Sequence, residues 1–275
     1  MNMLTDTSSS GELRFTHDLL QRPSPSGIDA VTTLRHFALI NYAVAPQLVR
    51  PHVHPRFDLD CFSGPDDSPR VWVSVVPFED QDFRFFRFPW LRFHFGQTNY
   101  RTYVVDRLTG RRAVWFFGTT LGSPTVLLPR YVWRLPWHYG RFRFDCAFDD
   151  ATRKYSHYRV TTASKWAPLQ LALEDSGEPV AELDGFPDLE AGLVTLTHPL
   201  AGVYYRRDGQ VGTYSVWHDR LRSTIGHCQN AQIGLLDRLG LVSYAEQQRP
   251  HSVLIQHETE FIIHLPPSRA AMNSL

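Results

Sequence analysis

The sequence predicts a mainly β fold, a β-rich α+β arrangement in which antiparallel strands curl into a barrel with a few peripheral helices. Three observations carry this. From Leu34 onward, short segments run in β-branched residues or alternate in type with a period of two. Helical patterning is confined to two short stretches. No strand–helix–strand rhythm repeats, so a parallel sheet is not indicated. Many antiparallel strands leave unpaired edges unless the sheet closes, and closed barrels of this size often enclose a ligand cavity.

In chain order, residues 1–32 read as a flexible lead-in rich in serine, glycine and proline. Leu13 to Leu20 is a short amphipathic piece suited to docking on the body. Residues 33–268 read as one domain, and 269–275 as a tail. Pro46 to His52 suits a short helix with proline in its first turn. Val71-Trp72-Val73-Ser74-Val75-Val76, bounded by Pro69 and Pro77, suits a strand covered on both faces. In Gln97 to Val105, Gln97, Asn99, Arg101 and Tyr103 share one face, and Thr98, Tyr100, Thr102 and Val104 the other. Arg141 to Phe148 alternates a wet face with a packed one. Val203–Arg206 and Val211–Trp217 form a hairpin around the turn pair Asp208-Gly209. Gln229 to Leu239 places Ile233, Leu236 and Leu239 on one helical stripe, with Gly240 as its stop. Ser252 to Leu265 reads as a terminal strand pair or one bent strand.

The 275 residues are 43% hydrophobic, enough for a sizeable core, and the formal net charge is zero with a pI near 7.2. That balance supplies no electrostatic reason to expect nucleic acid as a partner. No apolar run reaches the ~18 residues of a membrane helix, so no integral membrane association is expected. Three dispersed cysteines, Cys61, Cys146 and Cys228, suit a reducing compartment, and the N-terminal residues lack a secretory pattern. The expected location is cytoplasmic. Pairing of exposed sheet edges into a homo-oligomer is the one protein partnership envisaged.

No P-loop, Gly-x-Gly-x-x-Gly or Gly-x-Ser-x-Gly motif occurs, and no cofactor is expected. His257-Glu258 lacks the second histidine of a zincin, since position 261 is Phe. His52-x-His54 lacks an evident third ligand, so no metal site is expected. Only two lysines occur, Lys154 and Lys165, so arginine carries nearly all the positive charge. Arginine stays protonated and cannot act as an amine nucleophile.

Two segments supply candidate site residues. If the Gln97, Asn99, Arg101 face points into a closed cavity, Arg101 must meet an anion: a structural carboxylate, or a ligand's acid group. Tyr103 continues that face. The cluster Trp133-Arg134-Leu135-Pro136-Trp137-His138-Tyr139-Gly140 adds Arg134 and Trp137 as binding residues and His138 as a candidate acid or base. The alternative is that Trp137 and His138 simply pack a turn. Between them, residues 84–95 interleave arginines and aromatics. They suit a barrel wall and cavity lid, or else a surface platform for membrane or single-stranded nucleic acid.

Phe37 to Tyr42, Val71 to Phe78, Gln97-Thr98-Asn99-Tyr100-Arg101-Thr102-Tyr103-Val104, Trp115 to Pro124 and Leu128 to Tyr131 together resemble the YqjF-like family of uncharacterised bacterial proteins, in the acetoacetate decarboxylase-like superfamily. The resemblance spans about residues 34 to 265. It implies a cone-shaped, largely antiparallel barrel with a central cavity. In the decarboxylase, a lysine beside a second lysine forms a Schiff base with a β-keto acid, after an aromatic-x-x-Pro lead-in. Trp133 to Pro136 matches the lead-in, but Trp137 and His138 stand at the lysine positions. Gln97 falls nearest the decarboxylase's catalytic glutamate. An imine mechanism is therefore not expected. Three readings follow. The first is a barrel that binds a small, largely apolar carboxylate or acyl compound, held by Arg101. The second is a lyase- or isomerase-like enzyme acting on a keto acid through His138 and Arg101 without an imine. The third is a surface module carried by residues 84–95.

Overall fold

The computed structural model describes residues 13–64 and 66–270. Among the described residues, fourteen strands form one continuous sheet. They are β1 (Ala30–Val44), β2 (Phe57–Leu59), β3 (Cys61–Ser63), β4 (Pro69–Phe85), β5 (Phe88–Asp106), β6 (Arg112–Leu121), β7 (Trp137–Tyr139), β8 (Arg141–Asp149), β9 (Lys154–Ala163), β10 (Leu169–Pro179), β11 (Ala201–Tyr205), β12 (Val211–His218), β13 (Thr224–Ile233) and β14 (Ser252–Arg269). The β-rich expectation holds: helices are few and short, and the longest described, Leu189–Thr197, has nine residues.

Seven strands close into a barrel in the order β1-β4-β5-β6-β11-β12-β14, with β14 pairing back onto β1. All its pairings are antiparallel except β6 with β11. Closure leaves these strands without free edges. From β14 the sheet continues through β13, β10, β9 and β8, which fold over the outside of the barrel wall.

This second layer explains the continuous apolar run in β4. Val71, Val73 and Val75 point outward into a core shared with Leu169, Leu171 and Val160, while Trp72 and Val76 point into the barrel. The same division runs through β5, where Tyr100 and Val104 pack outward and Tyr103 inward. Barrel walls buried on both faces lose the polar–apolar alternation of a half-solvated strand.

The segment Gln229–Leu239 departs from expectation. Its first five residues belong to β13 and pair with β10, so only Gly234–Arg238 is helical. Ala231 and Ile233 are fully buried, and the side chains of Gln247 and Gln248 bond the backbone at these two residues. Tertiary pairing thus overrides the local stripe. Gly240, at φ 66°, ends the helix as expected. Ser252–Arg269 is a single strand, and Asp208-Gly209 turns the β11–β12 hairpin.

Of the lead-in, residues 1–12 lie outside the described part. Beyond them, Arg14 pairs with Asp188 (2.9 Å) and Glu190 (3.2 Å), and Phe15 meets the His198 ring edge-on at 4.7 Å. This segment therefore docks on the Leu189–Thr197 helix, although its own helix covers only His17–Leu20. Among the described residues, no helix is long and apolar enough to cross a membrane.

Candidate functional site

The barrel encloses a cavity of about 280 Å3, near the small end of ligand pockets. One strand sets its polarity. The alternate β5 residues Leu91, Phe93, Phe95, Gln97, Asn99 and Arg101 all line it, so one wall runs from aromatic to polar. The opposite walls are apolar, with Val114, Phe116, Tyr214, Val216, Phe261 and Ile263 among them.

Arg101 sits where the Leu189–Thr197 helix ends. Its Nη2 donates to the Leu196 carbonyl (2.8 Å), which also accepts from the Tyr103 hydroxyl (3.0 Å). The guanidinium lies 5.6 Å over the Tyr103 ring. The last carbonyls of a helix lack intrahelical donors and carry partial negative charge, so this end suits a cation. Among the described residues no carboxylate pairs with Arg101. Its buried Nε has no hydrogen-bond partner. Arg101 is half-buried, and the anion expected for it is partly supplied by a helix terminus, with no side-chain carboxylate among the described residues completing it.

Asn99 Oδ1 accepts from Gln97 Nε2 (3.0 Å) and Thr119 Oγ1 (2.8 Å). That arrangement fixes the amide and leaves Nδ2 without a protein partner among the described residues. Asn99 and Arg101 thus present unspent donors to the same cavity.

Three expected site residues do not line the cavity. Tyr103 shares the β5 face but is fully buried behind Arg101, bonded to Ser74 as well as Leu196. Arg134 adopts a left-handed backbone, φ 57°, and is exposed, with its Nε 3.6 Å from Asp208. Leu135, next in sequence, turns inward instead. His138 follows Trp137 on a strand, so the two point to opposite faces. Trp137 lines the cavity, while His138 stacks on Trp166 at 3.9 Å with ring planes 4° apart. Burial, and next the Arg130 guanidinium, lower the His138 pKa to about 4. His138 and Arg101 do not share a chamber.

Among the cavity residues that went unread in the sequence are an aspartate and a histidine. Asp80 lines the aromatic part of the wall and is fully buried, which raises its pKa to about 7. Continuing the two-residue period from Val76 through Phe78 places Asp80 on the inner face. His218 lies at the polar end, both ring nitrogens 2.8 Å from carbonyl oxygens, those of Asp219 and Thr197. Burial lowers its pKa, and the two carbonyls act in the opposite direction.

With the fold and cavity established, the comparison with protein families decides membership. A model of the DUF2071 family, described as an uncharacterized conserved protein, matches residues 31–260. The chain is a member of the DUF2071 family. No functionally curated protein matches it. Solved structures share the fold at low identity. An acetoacetate decarboxylase-like enzyme from Sphingomonas wittichii RW1 superposes with a TM-score of 0.59 at 10% identity, covering 94% of this chain and 98% of that one. The enduracididine biosynthesis enzyme MppR, complexed with the condensation product of pyruvate and imidazole 4-carboxaldehyde, gives 0.58 at 12%, covering 90% of each chain. The acetoacetate decarboxylase of Legionella pneumophila subsp. pneumophila str. Philadelphia 1 gives 0.55 at 12%, covering 92% and 94%. The acetoacetate decarboxylase-like fold is thereby shown for this DUF2071 protein.

Both of its lysines are exposed, Lys154 at the start of β9 and Lys165 in the loop before β10, and neither lines the cavity. Of the two positions that the resemblance assigns to lysines, Trp137 is in the cavity wall and His138 lies outside it.

Proposed function

We propose that this DUF2071 protein binds a small, largely apolar molecule through one acid or acyl group, without forming an imine. The carrying observation is Arg101, which lines the cavity, leans on a helix terminus and has no carboxylate partner among the described residues. A ligand carboxylate meeting the guanidinium would complete its charge compensation, since charge-assisted pairs gain most where water is excluded. Asn99 Nδ2 is the second donor. The aromatic wall and Trp137 accommodate the apolar body.

Mass spectrometry of whatever small molecule leaves the purified protein on denaturation tests this. The expected result is a carboxylate or acyl compound, retained by the native protein and lost in Arg101→Leu. A ligand without an acid or acyl group, retained equally by both proteins, contradicts the reading.

A further inference from the structure

Asp80 lies on the same wall as Arg101 but far from it. Across the β4–β5 ladder Asp80 faces Phe95, whereas Arg101 faces Ser74. Six β5 residues separate these registers, roughly 20 Å at a strand's rise per residue. The two groups therefore mark separate regions of one cavity.

The surroundings of Asp80 are unusual for a carboxyl group. Leu34 stands opposite it on β1 and Phe95 opposite it on β5. Phe83 follows on β4, past a bulge at Asp82 with φ 57°. Thr32 Oγ1 donates to Asp80 Oδ1 at 3.0 Å. Oδ2 is buried and has no partner. Among the described residues no arginine, lysine or histidine pairs with this carboxyl. A bare carboxylate there would be strongly destabilised, so the neutral acid is the form this environment favours. The neutral acid carries one O–H: on Oδ1 it would meet the Thr32 hydroxyl, which also lies 3.3 Å from the Gln81 carbonyl, but with Thr32 donating to Oδ1 the proton sits on Oδ2, where the described residues offer no acceptor.

Resting on the reading that Arg101 takes an acid group, we propose that Asp80 is a second binding subsite, whose protonated carboxyl donates a hydrogen bond to an uncharged oxygen of the ligand. The ligand class is then narrower than an apolar acid. It is a chain carrying a carboxylate or acyl group at one end and a hydroxyl or carbonyl oxygen about ten carbons away, after allowing for the reach of the two side chains. A buried donor left unpaired discriminates against a ligand that lacks the matching atom.

The test uses decanoate, 10-hydroxydecanoate and 10-aminodecanoate as probes in calorimetric titrations at pH 6. Wild-type protein is expected to bind 10-hydroxydecanoate about tenfold more tightly than decanoate. Asp80→Asn, whose amide still donates, keeps the preference. Asp80→Leu abolishes it, bringing the affinities for 10-hydroxydecanoate and decanoate to within about twofold of each other. A preference for 10-aminodecanoate that Asp80→Asn removes would show an ionised, cation-binding Asp80 and overturn the proposal. Infrared difference spectra of ligand-free wild type against Asp80→Asn give an independent readout. A carboxylic acid C=O band present at pH 5.5 and titrating near neutrality supports the proposal, and a carboxylate band at pH 5.5 overturns it. If no probe carrying a carboxylate binds while the acid band is present, the Arg101 reading fails and the protonated state of Asp80 stands.

Discussion

Arg101 Nη2 and the Leu196 carbonyl, 2.8 Å apart, join the wall of the barrel to the end of the Leu189–Thr197 helix. The contact turns the helix terminus toward the cavity and holds a guanidinium there without a carboxylate. It also predicts how the site fails. Arg101→Leu removes one of two donors to Leu196, and Tyr103 keeps the other. The fold is therefore expected to survive with a loss of about 1–3 kcal/mol, while retention of an acid ligand disappears. Urea denaturation and ligand retention measured on the same preparation check both halves.

Asp80 makes stability depend on pH. Its folded pKa of about 7 lies above its unfolded value of 3.8, so the native state binds more protons than the unfolded chain between those values. The stabilisation from its protonation is complete below about pH 4 and is lost as pH rises through 7, on the order of 4 kcal/mol in total. Asp80→Asn is expected to flatten this fall. Urea unfolding of both proteins at pH 5 and pH 8.5 checks it. Equal pH dependence in the two proteins would count against a buried, protonated carboxyl.

His138 is expected to be dispensable for cavity binding. It stacks on Trp166 on the far side of β7, and its lowered pKa of about 4 keeps it neutral at physiological pH. Affinity of His138→Gln for decanoate should stay within about twofold of wild type. A tenfold loss with the fold intact would place His138 at the ligand after all.

Gly118 permits the stack that orients His138. A Cβ at this position would lie 2.5 Å from the Trp166 ring and 2.9 Å from the Pro136 carbonyl oxygen. Gly118→Ala is expected to displace Trp166 and destabilise the protein by roughly 1–3 kcal/mol through overpacking. A lowered thermal midpoint with a changed near-ultraviolet tryptophan signal is the expected observation.

Incubation with acetoacetate followed by borohydride should leave no covalent adduct. Both lysines are exposed and outside the cavity, so neither has the desolvation that prepares an amine for imine formation.

The barrel was legible in the strand patterns because closure and the outer layer act through burial, which leaves its mark on residue type. Gln97, Asn99 and Arg101 were legible as one face because strand alternation is strict. Which end of that face stays open was not legible. Tyr103 obeys the same alternation yet is sealed behind Arg101 by Ser74 and Leu196, from strands and helices distant in sequence. The facing of Trp137 against His138 depends on the parallel register with β6, which no local pattern encodes. Asp80 was not legible as a cavity residue because a charged side chain in a strand ordinarily faces solvent. The bulge at Asp82 instead keeps the inward face continuous through Phe83 and Phe85. At Gln229 to Ile233 the apolar spacing fits both a helix and a strand, and pairing with β10 decides.

On the proposed function, an acid group enters the barrel and meets Arg101. Calorimetric titration of decanoate and of 1-decanol into wild type and Arg101→Leu separates the acid group's contribution from that of the chain. Decanoate is expected to bind wild type and to be lost in the variant, whereas 1-decanol is expected to bind both alike. Decanoate that binds the two proteins equally, or neither of them, would contradict the proposed function.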